Sequence, residues 1–371
     1  MALEIRPVRR KTGLKQFITL PWRIYSHDPN WIPPLIGDQM KMLDPKRGVF
    51  YNFGEAQLFL AFDGDEPVGR ISAHVNHQYE KYQNNETGFF GFFECVDDQQ
   101  VANTLCECAE NWLQKRHKTM VCGPFSFTLY DASGMLYQGF DSPPVILTNY
   151  NPHYYNSLLQ KAGYDKAVDW YAFMVCGDLN IRSTFYKIRE RVYKQGIKIE
   201  RLDMKKLDEA VNFIGATFNQ EWSENWGHVP LTAEQLDEFK NELKYVVEPE
   251  LTYLAFLNGQ CIGFSLSVKD ANPALKLANG RLFPLGLFKV MRGMKSVNRL
   301  RTFAMGVKKE FRHKGLDILF YLNTIEEGIK MGYKESECSL IVETNRRMIG
   351  ALKNLHAKCY RTYRFYEKQC T

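Results

Sequence analysis

One stretch of this sequence combines residue types that bind anions. An apolar run from Phe303 to Val307 has the composition of a buried strand, and the loop that follows it, residues 308–314, is basic. Gly315 then opens an amphipathic helix, whose apolar side chains recur at helical spacing at Ile318, Leu319, Leu322, Ile325 and Ile329. A second apolar strand is predicted from Ser339 to Val342.

The order of strand, basic loop and helix predicts an anion site for a physical reason. The first turn of a helix has unpaired N–H groups and the positive end of the helix dipole. Glycine lets the backbone approach a phosphate closely, and Arg312, His313 and Lys314 add positive charge. The alternative is an ordinary strand-to-helix turn, since many such turns contain arginine and glycine at this spacing and bind nothing.

The basic loop resembles the acyl-CoA loop of the GNAT acyltransferase superfamily, which usually reads Gln/Arg-x-x-Gly-x-Gly/Ala. Arg312 to Gly315 match it, and Asp317 departs from it at the last position. Glu343-Thr344-Asn345 and the helix and strand predicted at 348–355 and 360–366 resemble the closing segment of the superfamily. The resemblance implies that acetyl-CoA or a longer acyl-CoA is the co-substrate and is bound by Met305, Gly306, Val307, Arg312, His313, Lys314, Gly315, Leu316, Asp317 and Asn345.

The whole chain resembles a bacterial tandem branch of this superfamily. The stretches that carry the resemblance are GFFGFFECVDD (88–98), GPFSF (123–127), GFDSPP (139–144), NYNPHYY (149–155), NQEWSENWGHVP (219–230) and GRLFPLGL (280–287). Members of the branch are mostly uncharacterised N-acyltransferase-like proteins. Bacterial ceramide synthases, which acylate a sphingoid amine from acyl-CoA, lie in or near it.

The predicted order of elements occurs twice along the chain. Strand, two helices, hairpin, strand, helix, strand, helix and strand run from Leu3 to Val175 and again from Ile197 onward. The expected fold class is therefore α/β, with two tandem GNAT-like domains, each a mostly antiparallel sheet flanked by helices. We predict an N-terminal domain at 1–176, a partly helical linker at 177–195 and a C-terminal domain at 196–371.

The two copies differ at the position of the basic loop. The first copy has Glu94-Cys95-Val96-Asp97-Asp98 there. Acids at a helix start stabilise the helix but repel a pyrophosphate. We therefore expect the C-terminal copy to bind the nucleotide, while the N-terminal copy is degenerate at this loop and instead walls a substrate pocket.

Transfer of an acyl group from a thioester to an amine needs a base, because an amine with a pKa of about 10 is mostly protonated at neutral pH. It also needs donors for the tetrahedral oxyanion, and the resemblance assigns these to the backbone of Met305 to Val307. The candidate bases are Glu343 at a predicted strand end, His228 in a tryptophan-rich loop, and Glu94 after two phenylalanines. Each has a structural alternative: a capping carboxylate, a histidine packed among aromatic rings, and a plain strand end.

The usual proton donor of the superfamily is a tyrosine in the helix after the Asn345 position, and Leu352 stands at that place here. Either another group serves or none is needed. Leu352 and Asp317 favour an alternative function, a catalytically silent GNAT-fold protein that binds acyl-CoA or lipid. The intact loop from Arg312 to Gly315 favours the leading prediction, an acyl-CoA-dependent N-acyltransferase in which the amine attacks directly.

The expected acceptor is a small-molecule or lipid amine, with Asn225 and Trp226 as candidate substrate contacts in the loop 222–228.

The segment from Ala271 to Lys309 has nine basic residues and no acid. Within it, Leu287 to Leu300 predicts a basic amphipathic helix, so that residues 281–301 would contact an anionic membrane surface. The alternative is that the apolar face of this helix packs on the first domain. A nucleic-acid partner is not expected, because no reading motif accompanies the basic residues.

The composition and the lack of certain sequence motifs indicate the cellular compartment of the protein. Nine scattered cysteines do not indicate a disulfide framework and favour a reducing cytoplasm. No cysteine and histidine spacing predicts a metal site, the N-terminal residues lack the apolar core of a signal peptide, and no stretch approaches the ~18 apolar residues of a membrane span. We expect a cytoplasmic protein, peripheral at the inner face of the membrane, and the oligomeric state stays open.

Overall fold

The architecture comes from a computed structural model, which describes residues 3–177 and 183–370. The strands are β1 (Leu3–Pro7), β2 (Gly54–Asp63), β3 (Glu66–Asn76), β4 (Thr87–Cys95), β5 (Met120–Gly123), β6 (Met135–Gln138), β7 (Asp165–Cys176), β8 (Lys198–Arg201), β9 (Tyr253–Leu257), β10 (Gln260–Lys269), β11 (Arg299–Val307), β12 (Glu335–Val342) and β13 (Lys358–Gln369). The helices are α1 (Lys11–Thr19), α2 (Pro21–Ile24), α3 (Ile36–Met42), α4 (His77–Gln83), α5 (Gln99–Gln114), α6 (Tyr154–Lys161), α7 (Ser183–Lys194), α8 (Leu207–Glu221), α9 (Ala233–Leu243), α10 (Asn272–Lys276), α11 (Gly286–Met294), α12 (Leu316–Lys330) and α13 (Arg346–Asn354).

These elements form two compact units that are discontinuous in sequence. Unit 1 comprises Met1–Trp170, Asn272–Lys295 and Arg361–Thr371, and unit 2 comprises Tyr171–Ala271 and Ser296–Tyr360. The α/β fold class predicted from the sequence is confirmed. The predicted linear boundaries assign 272–295 and 361–371 to the C-terminal domain, whereas the contacts of the structure place both segments in unit 1. Within the predicted linker, α7 belongs to unit 2, and residues 178–182 lie outside the described part of the chain.

The sheet of unit 1 has the order β1-β2-β3-β4-β5-β13, and β6 also pairs with β13. Neighbouring strands are antiparallel except for β4 and β5, which are parallel. The main core lies between the sheet and α5, where Val101, Leu105, Ala109 and Leu113 are buried at helical spacing. A second core on the other side of β2 gathers Phe17, Phe50 and other apolar side chains of the N-terminal segment.

The sheet of unit 2 has the order β7-β12-β11-β10-β9-β8, and here the parallel pair is β11 and β12. Helix α12 packs into the core of this unit through Leu316, Leu319 and Phe320, which are all buried. In each unit a long helix, α5 or α12, connects the two strands of this parallel pair.

Three elements differ from the sequence-based prediction. The sequence of residues 14–25 predicts a single helix, but the structure has α1 and α2, with a break at Pro21, because proline lacks the N–H group that would continue the helical hydrogen bonds. The sequence of residues 128–144 predicts a long loop, but this segment contains β6, whose four residues are too few to show an alternating pattern. The basic amphipathic helix predicted at 287–300 is shorter, since Arg299 and Leu300 already belong to β11.

Candidate functional site

The parallel strands of unit 2 separate where the sequence predicted the thioester. The register of β11 and β12 pairs Arg299 with Glu335 and ends at Thr302 opposite Cys338. Strand β11 nevertheless continues to Val307, and on its other side Met305, Gly306 and Val307 pair with β10. Backbone groups beyond Thr302 therefore lie along an opening between two strands, which is a place where an extended ligand can hydrogen-bond to the chain.

The loop after β11 turns sharply into α12. His313 and Gly315 have φ values of 64° and 90°, in the left-handed region. At Gly315 an added Cβ atom would lie 2.3 Å from Cγ2 of Ile188, so glycine is required both by conformation and by packing. Gly315 is the N-cap residue of α12 and supplies no side-chain cap. The N–H groups of the first turn are therefore not capped by the N-cap side chain, as an anion site requires.

The basic side chains of this loop are partly engaged within unit 2. Arg312 forms an ion pair with Glu221 and donates through Nε to the carbonyl of Val307 at 3.3 Å. Lys309 pairs with Glu224 at 2.8 Å. His313 and Lys314 are exposed. Glu221, an acid at the end of α8, was not among the site residues predicted from the sequence. Because Arg312 pairs with Glu221, Arg312 positions the loop in addition to supplying positive charge.

Two other predicted cofactor residues have structural partners. The carboxylate of Asp317, in the first turn of α12, lies 3.6 Å from the guanidinium of Arg347. Asn345 accepts a hydrogen bond from the backbone N–H of Met348 at 3.1 Å and so caps α13. Leu316 is buried and anchors the start of α12.

The candidate base Glu343 follows the last residue of β12 and is half-buried. His228 is 1% exposed and packs against Phe218, with 5.8 Å between ring centroids. Burial lowers the pKa of His228 below its ordinary value, although a hydrogen bond with the backbone of Asn219 opposes this shift. His228 is thus a packed histidine whose burial disfavours the protonated form. Asn225 and Trp226 lie in the same loop and are half-buried.

The position of the superfamily's usual tyrosine is filled by core packing. Leu352 on α13 is 0% exposed and belongs to the core of unit 2. A hydroxyl at this place would be enclosed among apolar side chains.

Unit 1 has a similar opening between its parallel strands. The register of β4 and β5 ends at Phe89 opposite Cys122, and one further hydrogen bond joins Phe125 N–H to the carbonyl of Phe90 at 2.8 Å. Phe92 has a φ of 48°, beside a register shift between β3 and β4. Such an irregularity redirects the side chains that follow it, and the next polar one is Glu94.

Glu94 is the centre of a buried polar cluster in unit 1. Its carboxylate accepts hydrogen bonds from the hydroxyls of Tyr25 at 2.9 Å and Tyr155 at 2.8 Å, and the guanidinium of Arg70 lies 3.4 Å away. Arg70 also donates to the carbonyl of Phe17 at 2.6 Å. Burial raises the pKa of Glu94 above its ordinary value, against the opposing effects of Arg70 and the two hydroxyls.

A cavity of about 250 Å³ adjoins this cluster, and all of its lining residues belong to unit 1. Glu94, Arg70 and Tyr155 form part of its wall, and the rest is largely apolar, including Trp31, Leu35, Met42, Phe93, Met135 and Leu275. Of these three residues, only Glu94 was predicted from the sequence as a site residue. The available signal for Arg70 was its place in the largely apolar stretch 67–75, because a buried arginine needs an acidic partner.

The helix that follows the opening in unit 1 is closed to anions. Asp98 is the N-cap residue of α5 and accepts a hydrogen bond from the N–H of Gln100 at 2.7 Å. The carboxylate of the chain itself therefore occupies the position that a phosphate would take. In α12 of unit 2, by contrast, the N-cap residue is glycine.

Within residues 3–177 and 183–370, no group of three or more histidine, cysteine, aspartate or glutamate side chains is placed to hold a metal ion. None of the described helices is long and apolar enough to span a membrane.

Two solved structures share this fold over almost their whole length. A tandem GNAT protein from the clavulanic acid biosynthesis pathway matches with a TM-score of 0.57 and 12% identity, over 100% of this chain and 99% of that protein. A GCN5-related N-acetyltransferase from Sphaerobacter thermophilus matches with a TM-score of 0.53 and 12% identity, over 99% and 96% of the two chains. The fold is thus that of a tandem GNAT protein, as the sequence predicted.

Two relatives of higher identity define the family. A bacterial ceramide synthase of Caulobacter vibrioides is 33% identical over 99% of this chain and 97% of its own length. The protein YghO of Escherichia coli is 31% identical over 98% of this chain and 95% of its own length. No protein-family model matches the chain. The chain belongs to the family that contains this bacterial ceramide synthase and YghO, and its fold is that of a tandem GNAT protein.

Proposed function

We propose that the protein is an acyl-CoA-dependent N-acyltransferase that binds its thioester donor in unit 2. The observation that carries this proposal is the continuous path from the opening between β11 and β12 to the start of α12. The opening offers backbone groups to the thioester end. The loop of Arg312, His313 and Lys314, with the first turn of α12, offers positive charge and N–H groups to the phosphates.

The contrast between the two copies supports unit 2 as the donor site. Asp98 caps α5 in unit 1 with a carboxylate, whereas Gly315 begins α12 without a side-chain cap. A pyrophosphate is repelled at the first helix and attracted at the second.

Calorimetric titration with acetyl-CoA and palmitoyl-CoA tests this assignment. Because His313 and Lys314 are exposed, changing both to Glu alters charge with little effect on packing. We expect this change to weaken binding of either thioester by about tenfold or more, since each charge-assisted hydrogen bond contributes about 1.5–3 kcal/mol. The control is Lys330→Glu with Lys334→Glu, at and just beyond the other end of α12, which changes the charge by four units against three for the test pair with histidine neutral. Absence of thioester binding by the wild type would leave a GNAT-fold protein without this chemistry.

Of the candidate bases in unit 2, we propose Glu343. It is half-buried directly after β12, one of the two strands that separate, whereas His228 is almost completely buried. With palmitoyl-CoA as donor and sphinganine as the probe amine, Glu343→Gln should lower kcat by about 100-fold or more. The Kd of palmitoyl-CoA should not change. His228→Asn is the comparison, and a larger loss of kcat in that variant at equal stability would move the assignment to His228.

We also propose that segment 277–295 contacts an anionic membrane. Phe283, Leu285, Phe288 and Met291 expose 78%, 66%, 68% and 62% of their surface. The alternative, an apolar face packed on the first domain, does not account for these four exposed side chains, and the close contacts of Gly286 and Gly293 are with residues 274–281 of the preceding stretch. The exposed basic residues of the same segment, Arg281, Lys289, Arg292 and Lys295, form no ion pair with any described residue. Exposed aromatic and apolar side chains among unpaired cations are typical of an interfacial segment.

Pelleting with vesicles of phosphatidylglycerol and phosphatidylcholine tests this contact. Changing Lys289, Arg292 and Lys295 to Glu should lower vesicle binding by about a hundredfold, because each basic residue contributes about 1 kcal/mol at an anionic surface. Changing Phe283, Phe288 and Met291 to Ser should also release the protein. Lys198, Lys205 and Lys206 changed to Glu serve as the control. Equal binding of all variants would remove the membrane from the proposal.

A further inference from the structure

We infer that the cavity of unit 1 binds the amine acceptor, as a long-chain primary amine whose ammonium group lies at Glu94 and whose hydrocarbon chain lies along the apolar wall. The identification of this amine as the acceptor rests on the proposed function. The binding itself rests on the cavity and its polar cluster.

The polar end of the cavity fits a cation. The two tyrosine hydroxyls both donate to Oε2 of Glu94, while Oε1 has one long contact with Arg70 at 3.4 Å. A carboxylate oxygen has lone pairs for more than one such contact. An ammonium group beside Oε1 would therefore complete the hydrogen bonds of a carboxylate that is already oriented from the other side.

The remaining wall fits a hydrocarbon chain. Trp31 stacks on Tyr25 with parallel rings 4.9 Å apart, so the aromatic wall is continuous with the polar cluster. Leu35, Met42, Phe93, Met135 and Leu275 extend this apolar surface. Polar side chains, among them Thr148, Asn149, Asn151 and Asn272, line part of the cavity beside this apolar surface. A pocket with mainly apolar walls and a few polar groups is the usual form of a site for a small amphiphilic ligand.

The chain also connects this cavity to the proposed membrane surface. Asn272 and Leu275 on α10 line the cavity, and the exposed segment 277–295 follows directly. Within unit 1 this segment is held by hydrogen bonds from Trp22 to Asn279 at 2.9 Å and from Ile36 N–H to the carbonyl of Gly280 at 3.0 Å. A single-chain amine dissolved in a bilayer would thus meet an apolar surface that belongs to the same unit as its binding site.

Arg70 provides the alternative to an ammonium head group, namely a carboxylate. It also lines the cavity, and its buried Nε has no hydrogen-bond partner among the described residues. A ligand with a carboxylate head would pair with Arg70 rather than with Glu94. The relative affinity of the cavity for an amine and for a carboxylate therefore distinguishes a site at Glu94 from a site at Arg70.

Calorimetry with octylamine, octanol and octanoate at pH 7.5 tests the inference on the full chain, without acyl-CoA. We expect octylamine to bind at least about tenfold more tightly than the other two compounds, since its ammonium gains a charge-assisted hydrogen bond to Glu94, which octanol cannot form and which repels the carboxylate of octanoate. Leu275→Trp should fill part of the cavity and weaken octylamine by a similar factor. Leu277→Trp is the matched control, because Leu277 lies two residues further on, is exposed and does not line the cavity.

A Glu94→Gln variant that remains folded should bind octylamine and octanol equally. Preference for octanoate, or octylamine binding that Leu275→Trp does not change, would overturn the inference. Since no thioester is present, these outcomes are independent of the acyl-CoA titration. Loss of acyl-CoA binding with retained amine binding would refute the transferase and not the cavity.

Discussion

At the scale of single residues, Arg70 and Glu94 form a buried ion pair in which each charge depends on the other. Both side chains are largely buried, with exposed fractions of 7% and 13%. Removal of one member of a buried ion pair leaves an uncompensated charge, which costs more than the pair contributes. Most single substitutions in the cluster are therefore expected to destabilise the protein.

Glu94→Gln should lower the free energy of unfolding by about 3–5 kcal/mol, because Arg70 would keep its charge without a partner. Adding Arg70→Met to this variant should restore most of the loss. Urea denaturation of the wild type, the single variant and the double variant measures both effects. The control Glu55→Gln, at a half-exposed ion pair with Arg116, should change stability by less than about 0.5 kcal/mol. An equal loss in the single and double variants would contradict this account.

His74 makes the stability of the protein depend on pH. It is 0% exposed among Phe50, Phe89 and Phe127, and burial lowers its pKa to about 3. The unfolded chain therefore takes up a proton near pH 6.5, while the folded chain does not until about pH 3. The contribution of the neutral, buried His74 to the free energy of unfolding is fully present above pH 6.5 and is lost as the pH falls toward 3.

Between pH 6 and pH 4, His74→Phe should remove about 1.4 kcal/mol per pH unit from the acid-dependent loss of stability. Urea denaturation at several pH values gives this slope for the wild type and the variant. His27→Phe, at an exposed position, should leave the slope unchanged. If both variants follow the wild-type profile, His74 is not the group that titrates.

At the scale of elements, the two copies differ at the strand-to-helix turn. Both units separate a parallel strand pair, so the openings are properties of the fold. The helix starts differ by one residue type: Asp98 in α5 and Gly315 in α12. Gly315 is held by its φ of 90° and by the contact of α7 through Ile188.

Gly315→Ala should destabilise the protein by more than Gly332→Ala does. Both glycines have φ near 90°, so both variants pay about 1–3 kcal/mol for the left-handed conformation. An added Cβ would meet Ile188 at Gly315 but has nothing within 4 Å at Gly332. Urea denaturation compares the two variants, and Ile188→Ala added to Gly315→Ala should recover the difference. Equal destabilisation would show that α7 does not press on the loop in solution.

At the scale of the whole molecule, neither unit is a single continuous segment of the chain. Strand β13 from Arg361 onward belongs to unit 1, where Tyr366 pairs with Gly123 of β5. Tyr366 is 0% exposed and donates to Asn156 at 2.8 Å. Segment 272–295 is likewise part of unit 1 and of its cavity wall.

A fragment of residues 1–176 should therefore not fold into a stable domain. It would lack β13, which covers the edge of β5, and exposed strand edges promote aggregation. Expression of this fragment, followed by gel filtration and urea denaturation monitored by circular dichroism, tests the expectation against the full chain. A soluble fragment with a cooperative transition would contradict it and favour the linear boundary.

The sequence by itself determined the elements whose signals are local. The apolar run before a basic glycine turn predicted β11 and α12, the repeated order of strands and helices predicted two copies, and Asp98 predicted a closed helix start. These depend on periodicity, on φ at a few positions and on charge within one turn. Only the tertiary structure decided which distant residues meet. It brought Arg70, Tyr25 and Tyr155 to Glu94, paired Arg312 with Glu221, and gave β13 to unit 1. Such contacts arise because strand pairing and core burial join segments far apart in the chain, and no local pattern in a single sequence records the partner.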